Sequence, residues 1–467
     1  MDAKLLFAIS CGKAAARGSR MLGRPGSSLP GKVALKVYPW TLRDLAARAQ
    51  QGTILVTGTN GKTTTNNMLA RILQQAGARV ICNREGANLI TGVTTAFLRE
   101  TTLFGQMEFD WAVLEVDEAS FPGVAAQVDP RLVVVTNFFR DQLDRYGELD
   151  RTVAVIRDAV ERLPETRLVL NADDPLVAQF GELGPSAVYY GLAPHARVVE
   201  RRFRVREARF CPRCGGALHY AFYHYSQLGL FRCPNCGFRR PAPEVEGLQA
   251  RYQGERVACT IRFGEKEFPL ELPTQGFYNL YNALAAFAAG MTLGLEPGQV
   301  VPSLETYEPA TGRLQRFRYR DKPVYLNLVK NPAGFNEALN LLYTNEGAKD
   351  VFIAVNDNAA DGRDISWLWD VDFEVLEELQ RDVAGFVCSG LRAEEMGVRL
   401  KYAGVQPAKI LVEPDLKAAV HRTLKGNGAQ AFFFATYTAL WPVEKLLRTR
   451  VTPEGRGRDV GCRPSLP

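Results

Sequence analysis

A short apolar strand followed by a glycine-rich turn constrains the fold of this chain more than any other segment. The segment reads Ile54-Leu-Val-Thr-Gly-Thr-Asn-Gly-Lys-Thr-Thr-Thr65. Glycines let the backbone approach a ligand closely, and the free N–H groups of the following helix point at the same place. A lysine directly before threonines is typical of loops that bind nucleotide phosphates. We therefore predict a phosphate-binding loop made of Gly58, Thr59, Asn60, Gly61, Lys62, Thr63 and Thr64.

Two side chains of this loop are expected to take part in chemistry. Lys62 would neutralise the β- and γ-phosphate oxygens, and the Thr63 hydroxyl would bind the magnesium ion that bridges them. The loop departs from the general pattern G-x4-G-K-[ST], because Val56 stands where the first glycine would be. The alternative is an ordinary glycine turn between a strand and a helix. The legible strand before the turn and the helix after it favour the phosphate loop.

Acidic residues follow the next long apolar strand, Trp111-Ala-Val-Leu-Glu-Val-Asp-Glu-Ala-Ser120. A buried strand that ends in acids, next to a phosphate loop, is where a magnesium-binding carboxylate belongs. We predict Glu115 as the magnesium ligand, with Asp117 and Glu118 as its neighbours. The alternative is that these acids only cap the following helix.

Apolar strands alternate with helical segments through most of the chain. The segments at 132–147 and 168–175 are further strands that run into polar loops. This rhythm predicts an α/β fold with a doubly wound parallel sheet, whose site lies at the carboxyl ends of the strands. A C-terminal Rossmann-like α/β domain is predicted from the strands at 351–355, 385–388 and 431–438.

Four of the nine cysteines form two knuckles, Cys211-Pro-Arg-Cys214 and Cys233-Pro-Asn-Cys236, each followed by glycine. Two C-x-x-C turns close a tetrahedral four-cysteine zinc site, which has no open position and is therefore structural. The alternative is a pair of disulfides, which needs an oxidising compartment. The other five cysteines are scattered and odd in number, so we predict a cytosolic protein with a zinc ribbon inserted at about 200–240.

The length of 467 residues exceeds what one core usually serves, so several domains are expected. We predict a lead-in segment at 1–50, a central ATP-binding domain at 51–312, a C-terminal domain at 313–450 and a polar tail at 451–467. The lead-in begins with a basic amphipathic helix, which either faces solvent or lies on anionic lipid. A strand and a helix are expected over 31–51. The net charge of +6 is mild, and no apolar run is long enough to span a bilayer.

Taken together, the motifs resemble the Mur ligases, which are ATP-dependent amide-bond-forming enzymes of peptidoglycan synthesis. The resemblance covers residues 31 to 442 and is carried by short motifs in the family's order. These motifs are Thr57–Thr64, Thr136-Asn137, Asn171-Ala-Asp-Asp174, Gly276–Ala285 and Gly312-Arg313-Leu314. The zinc ribbon, Asp141–Gly147 and Asp361–Trp367 are more specifically similar to the ligase subunits of lipid II isoglutaminyl synthases.

The resemblance implies roles for residues beyond the loop. Asn282 would face the adenine of ATP, and Arg313 would reach the nucleotide from the hinge between domains. The family's D-Y-A-H-N-P stretch appears here as Asn327-Leu-Val-Lys-Asn-Pro332, and Gln142 stands in place of a family histidine. The lysine that the amino-acid-adding members carbamylate is not found. These departures separate the chain from enzymes that add an amino acid.

The resemblance also implies a partner and a substrate. The chain would activate the α-carboxylate of D-glutamate in lipid II for amidation, with ammonia from a separate glutaminase subunit of the GatD type in a heterodimer. Asp364 would complete the Cys-His pair of that partner, within a loop whose two tryptophans suggest an interface. The alternative for Asp364 is a turn or helix-capping acid. The expected location is cytoplasmic, at the inner face of the membrane.

Two other functions stay open from sequence. One is a Mur or folylpolyglutamate type of ligase that adds an amino acid to a carboxylate. The other is a nucleotide triphosphatase that binds nucleic acid through its ribbon, for which arginines around the ribbon supply charge. We expect no nucleic acid partner, because the knuckles lie inside a ligase-like domain. These arginines are Arg201, Arg202, Arg204, Arg206, Arg209, Arg239 and Arg240.

Overall fold

The computed structural model describes residues 2–22, 26–83, 87–140, 149–183, 186–195, 208–253, 256–274, 276–308, 314–450 and 452–453. Arg313, the 141–147 segment, Arg201, Arg202, Arg204 and Arg206 lie outside the described residues, as does the tail apart from 452–453. Among the described residues, no helix combines the length and the apolar character needed to cross a bilayer.

A nine-stranded sheet carries the first half of the chain, with strand order β11-β10-β9-β6-β5-β4-β1-β3-β2. Neighbouring strands from β2 to β6 pair in parallel, β6 pairs in parallel with β9, and β9, β10 and β11 pair antiparallel. The strands are β1 (Gly52–Thr57), β2 (Val80–Cys82), β3 (Trp111–Glu115), β4 (Leu132–Val135), β5 (Arg167–Asn171), β6 (Ala187–Leu192), β9 (Val245–Gln253), β10 (Arg256–Phe263) and β11 (Lys266–Leu272).

Helices cover both faces of this sheet. On one face, the helices Lys62–Gln75 and Tyr278–Thr292 pack against the sheet in one apolar core, while a second core holds the N-terminal helices. The other α-helices that the structure describes after β1 in this half are Ile90–Glu100, Phe121–Val128, Leu149–Val160, Pro175–Ala178 and Pro297–Glu305. This is the doubly wound arrangement that strands alternating with helices predict, because each crossover places a helix on a face of the sheet.

The predicted strand in the lead-in segment is wrong. The described residues before β1 form three helices, Ala3–Met21, Leu29–Val37 and Thr41–Ala46. The first was expected, and its inner face buries Leu5, Ala8 and Ile9 in the second core. The apolar residues after Gly31 recur with helical spacing, and Gly31 itself lies so close to the Thr91 carbonyl that a β-carbon there would clash with it. Packing against a neighbouring helix therefore replaces strand pairing.

The ribbon contains a small hairpin that contacts residues just beyond the carboxyl ends of β4 and β5. The hairpin consists of β7 (His219–Tyr225) and β8 (Leu228–Arg232), which pair antiparallel as a separate sheet. Its own apolar cluster is small and includes Phe231, Phe238 and two of the cysteines. A core of that size contributes little stability, so the hairpin needs either metal or contacts with the main sheet.

A seven-stranded sheet carries the second half of the chain, in the order β16-β15-β14-β17-β13-β12-β18. Strands from β16 to β13 pair in parallel, and β12 and β18 complete one edge antiparallel. These strands are β12 (Gln315–Tyr319), β13 (Lys322–Leu328), β14 (Lys349–Ala354), β15 (Val383–Ser389), β16 (Ile410–Val412), β17 (Gln430–Ala435) and β18 (Thr452–Pro453), with helices Pro332–Thr344, Leu376–Leu379, Ala393–Tyr402, Leu416–Leu424 and Tyr437–Arg448.

Candidate active site

The glycine-rich loop leaves β1 at Thr57 and enters the helix Lys62–Gln75. Gly58 has φ +115° and Gly61 has φ +86°, values that favour glycine. Space is equally restrictive, because a β-carbon on Gly58 would lie 2.4 Å from the Thr136 hydroxyl, and one on Gly61 would lie 2.2 Å from Asn282 Oδ1. The two glycines therefore follow from both conformation and packing.

The end of the neighbouring strand β4 holds the loop in shape. The Asn60 amide donates to Asn137 Oδ1 at 2.9 Å, and Asn137 Nδ2 donates back to the Asn60 carbonyl at 3.0 Å. The Thr136 hydroxyl donates to the same carbonyl at 2.8 Å. These contacts give the Thr136-Asn137 motif a structural task, which is to position the backbone of the loop.

Lys62 is buried and its ammonium lies against the loop. Lys62 Nζ donates to the Gly58 carbonyl at 2.5 Å and to the Thr59 carbonyl at 3.2 Å. It also forms an ion pair with Glu118 Oε2 at 3.0 Å. Sequence reasoning placed Glu118 only among the neighbours of Glu115, and its position three residues beyond β3 could not reveal this pairing.

Glu115 is the last residue of β3 and lies opposite Val56 of β1 in the parallel register. Its carboxylate accepts from Asn88 Nδ2 at 3.2 Å, and its backbone bonds on both sides with the side chain of Asn83. Glu115 is 5% exposed. The sequence indicates that the polar loop containing these two asparagines lies at a substrate-facing edge of the sheet, but it assigns neither asparagine a role of its own.

Thr63 and Thr64 lie in the first turn of the helix and are buried, with 7% and 6% exposure. Asn282 lies on the helix Tyr278–Thr292, where its Oδ1 accepts from the Thr65 hydroxyl at 3.4 Å and its Nδ2 donates to Asn279 at 3.2 Å. The structure thus brings Asn282 to the glycine-rich loop. Its predicted contact with adenine stays a prediction.

The second sheet also contacts the loop. Asn331 Nδ2 donates to Asn60 Oδ1 at 3.0 Å, and Lys330 Nζ donates to the Thr59 carbonyl at 3.5 Å. Nearby, Arg140 and Asp370 form an ion pair at 2.9 Å between the two halves. The sequence showed Lys330-Asn331 only as a departure from a family pattern, and the structure places both residues at the loop.

Asp364 lies in the loop after β14, where it is partly exposed. Its Oδ1 accepts the Ser366 amide at 2.8 Å, and hydrogen bonds from Ser366 hold the pKa of Asp364 below its usual value, with a further contribution from the charge of Arg140. Asp364 is therefore an ionised turn acid. The two tryptophans of this loop differ, because Trp367 is buried in the domain core and Trp369 is 56% exposed. The expectation of two interface tryptophans thus applies to Trp369 alone.

The four cysteines of the knuckles converge, as their spacing predicts. Cys211 and Cys236 have sulfur atoms 3.6 Å apart, those of Cys214 and Cys233 are 3.5 Å apart, and all four lie within 4.8 Å of one another. Zn–S bonds of about 2.3 Å in a tetrahedron place sulfur atoms about 3.8 Å apart. Gly215 and Gly237 both have positive φ, so the two turns match. The donor set and its spacing fit zinc.

The loop region likewise fits a nucleotide with magnesium. It offers backbone amides at a helix start, a buried lysine, threonine hydroxyls and a buried carboxylate one strand away, which are the groups that phosphates and magnesium require. Arg313 lies outside the described residues, so its predicted contact with the nucleotide stays a prediction.

Comparison with known families assigns both halves of the chain. The Mur ligase middle domain matches residues 56–219, and the MurT ligase C-terminal family matches residues 328–440. The chain is also similar in fold to a pseudomurein peptide ligase type C from Methanothermus fervidus, with a TM-score of 0.67, 22% identity, and 90% and 84% of the two chains covered. The chain is likewise similar in fold to MurF from Acinetobacter baumannii, with a TM-score of 0.65 and 18% sequence identity, and the match covers 90% of this chain and 80% of that MurF chain. These likenesses confirm the predicted Mur ligase-like α/β fold.

Full-length relatives give a finer assignment. A Staphylococcus aureus (strain N315) protein named lipid II isoglutaminyl synthase (glutamine-hydrolyzing) subunit MurT is 39% identical over 445 residues, which are 95% of this chain and 98% of the relative. A protein of the same name from Streptococcus pneumoniae (strain R6) is 33% identical over 451 residues, covering 96% and 98%. The chain belongs to the MurT family of Mur ligase-like proteins.

Proposed function

We propose that this chain is the ATP-dependent ligase subunit of a glutamine-hydrolysing lipid II isoglutaminyl synthase. The observation that carries the proposal is the glycine-rich loop, which holds a buried lysine and receives side chains from both sheets. The contact of Asn331 with Asn60 brings a residue from just beyond the end of β13, in the second sheet, to this loop. A site between two α/β units suits an enzyme that binds ATP together with a second substrate.

The proposed reaction has two steps, phosphoryl transfer from ATP to the carboxylate and amide formation with ammonia. A carboxylate oxygen, from the α-carboxylate of D-glutamate in the stem peptide of lipid II, attacks the γ-phosphorus of ATP and ADP leaves. The nitrogen of ammonia then attacks the carbonyl carbon of the acyl phosphate, phosphate leaves, and a proton is lost from nitrogen. The first step is needed because a free carboxylate is anionic and has no good leaving group.

The chain's own residues serve the first step by binding and charge. Lys62 leaves Glu118 and the loop carbonyls to contact the β- and γ-phosphates, and backbone amides in the first turn of the helix Lys62–Gln75 bind phosphate oxygens. Thr63 and Glu115 would hold magnesium, which when bound neutralises charge on the transferring phosphoryl group. Lys330 adds a second cation that reaches the loop from the other sheet.

The second step needs ammonia, which is mostly protonated in water at neutral pH. We propose that a glutaminase subunit of the GatD type supplies it and that Asp364 orients the histidine of that partner. A partly exposed carboxylate with a lowered pKa, in the same loop as the exposed Trp369, supports this role. We further propose that the domains extend over 51–312 and 313–450 and that the four cysteines of the ribbon bind zinc. The reaction on lipid II is proposed to take place at the inner face of the membrane.

Reconstitution tests the proposal. The protein is mixed with its glutaminase, lipid II, ATP, magnesium and glutamine, and product mass and glutamate release are measured. Lys62→Ala is expected to abolish amidation, whereas Asp364→Asn is expected to abolish glutamine hydrolysis but leave ATP binding intact. Lys36→Ala, an exposed lysine on the helix Leu29–Val37, is the matched control and should be fully active.

Product mass also separates this function from its alternative. Amidation replaces a hydroxyl group by an amino group, whereas a Mur or folylpolyglutamate type of ligase adds a whole amino acid. A product heavier by an amino acid, formed without the glutaminase, would overturn the proposed function. Full glutamine turnover by Asp364→Asn in the complex would remove that residue from the mechanism.

A further inference from the structure

The zinc ribbon is joined to the main sheet by a buried cluster of polar side chains around Asp173. Arg240, four positions after Cys236, donates through Nε to Asp173 Oδ1 at 2.5 Å and through Nη2 to the Leu192 carbonyl at 2.9 Å. Asp173 has no exposed surface. Taking a carboxylate out of water is costly unless it is paired, so Arg240 holds the ribbon and Asp173 together strongly.

The other oxygen of Asp173 faces the helix that bears Asn282. The Tyr281 hydroxyl donates to Asp173 Oδ2 at 2.6 Å, and the Leu192 amide donates to the same oxygen at 2.8 Å. Tyr281 directly precedes Asn282, whose Oδ1 lies against Gly61 of the phosphate loop. Arg240 and Asp173 thus link the ribbon to this helix, which the ring of Tyr225 in β7 also contacts directly, with the ring centroids of Tyr225 and Tyr281 5.8 Å apart. The helix in turn touches the loop.

The turn of the ribbon hairpin makes a second, separate connection. Gln227 is fully buried, and its Nε2 donates to the Phe138 carbonyl at 2.6 Å. The Gly229 amide donates to the Asp173 carbonyl at 2.9 Å. Phe138 directly follows Asn137, which bonds with both the amide and the carbonyl of Asn60 in the loop. Ribbon contacts therefore end one residue away from each of the two side chains that hold the loop.

We infer that the ribbon is a positioning element for the nucleotide site, with Arg240, Tyr281 and Gln227 as its positioning residues. This role rests on the proposed ATP-binding function, and it means that the ribbon helps to position the glycine-rich loop in addition to stabilising the protein. Zinc at the four cysteines would fix the backbone that leads into Arg240, since Cys233 and Cys236 lie between β8 and that residue.

Equilibrium binding of ATP with magnesium to the full-length protein tests the inference. Tyr281→Phe removes a hydrogen bond to the Asp173 carboxylate, and Gln227→Ala removes one to a backbone carbonyl. We expect ATP affinity to fall about three- to tenfold in each variant, which corresponds to about 0.7–1.4 kcal/mol. Arg239→Ala, the exposed neighbour of Arg240, is the matched control and should bind within about twofold of the unchanged protein.

Two further readouts separate positioning from loss of stability. In the reconstituted complex, the KM for ATP should rise, while kcat and the rate of glutamine hydrolysis should change little. A loss of stability would instead lower the amount of active enzyme and leave the KM unchanged. Zinc content should stay at the level of the unchanged protein. Arg240→Lys keeps the positive charge but loses the two-pronged contact of the guanidinium group. The ATP affinity of Arg240→Lys should therefore lie between those of Arg240→Ala and the unchanged protein.

The outcomes are distinct. If Arg240→Ala does not fold, Tyr281→Phe and Gln227→Ala still test the positioning role, because Asp173 stays paired with Arg240 in both variants. ATP affinity unchanged in both of these variants would overturn the inference and leave the ribbon a purely stabilising module. A failure of the unchanged protein to bind ATP would instead overturn the proposed function.

Discussion

Replacing Gly61 by alanine should disrupt the phosphate loop for two separable reasons. Gly61 has φ +86°, a left-handed conformation, and a β-carbon there would lie 2.2 Å from Asn282 Oδ1. Gly77, at the other end of the same helix, has φ +91° with no heavy atom within 4 Å of its β-carbon position. Gly77→Ala therefore carries the conformational cost alone and is a matched control.

The expected magnitudes follow from these contacts. The left-handed conformation costs an alanine about 1–2 kcal/mol at either site. At position 61, the added carbon also displaces Asn282, which then loses its bonds with Thr65 and Asn279. Each bond contributes about 0.5–1.5 kcal/mol, so Gly61→Ala should cost about 1–3 kcal/mol more than Gly77→Ala.

Thermal unfolding without nucleotide measures this difference, since about 1 kcal/mol shifts the Tm of a domain of 150–250 residues by about 2–4 °C. The double variant Gly61→Ala with Asn282→Ala should be about as stable as Gly61→Ala alone, because Asn282 has already lost its bonds with Thr65 and Asn279 in the single variant. ATP affinity should fall in Gly61→Ala and stay unchanged in Gly77→Ala. Equal Tm values for the two single variants, or strict additivity in the double variant, would refute the reasoning.

Three further predictions concern charge, metal and the contact between sheets. Burial raises the pKa of Asp174 to about 7, above the value of about 3.9 expected in the unfolded chain. The stability that the protonated Asp174 contributes is therefore present below about pH 4 and is lost as pH rises through about 7. In Asp174→Asn the free energy of unfolding should depend less on pH between pH 4 and 8. A pH dependence equal to that of the unchanged protein would contradict the raised pKa. Removing zinc with a chelator should lower both the Tm and ATP affinity, measured by calorimetry, and readdition of zinc should restore both; unchanged values would exclude a metal at the cysteines. Lys330→Ala should raise KM for ATP about threefold or more, with Lys36→Ala as control, and an unchanged KM would show that Lys330 does not contact nucleotide.

Several features could be predicted from sequence because they depend on residues close together in the chain. The glycine-rich loop and the two cysteine knuckles are of this kind, since a short segment contains most of the groups that bind one ligand. The alternation of strands and helices also predicted the sheet, and the residue after each strand marked its functional edge. The segment 31–51 was misassigned, because its short apolar stretch does not distinguish a strand from a helix without knowledge of what it packs against.

Tertiary structure decided which distant side chains meet. The pairing of Lys62 with Glu118 joins residues on neighbouring crossovers, and the contact of Asn331 with Asn60 joins two sheets. The burial of Trp367 beside the exposed Trp369 likewise depends on the core beneath their loop. Such pairings depend on strand register and on how helices lie on the sheet, which long-range packing sets. Local sequence determined the chemical groups of the site, and the packing of the two sheets and the ribbon determined how those groups are arranged.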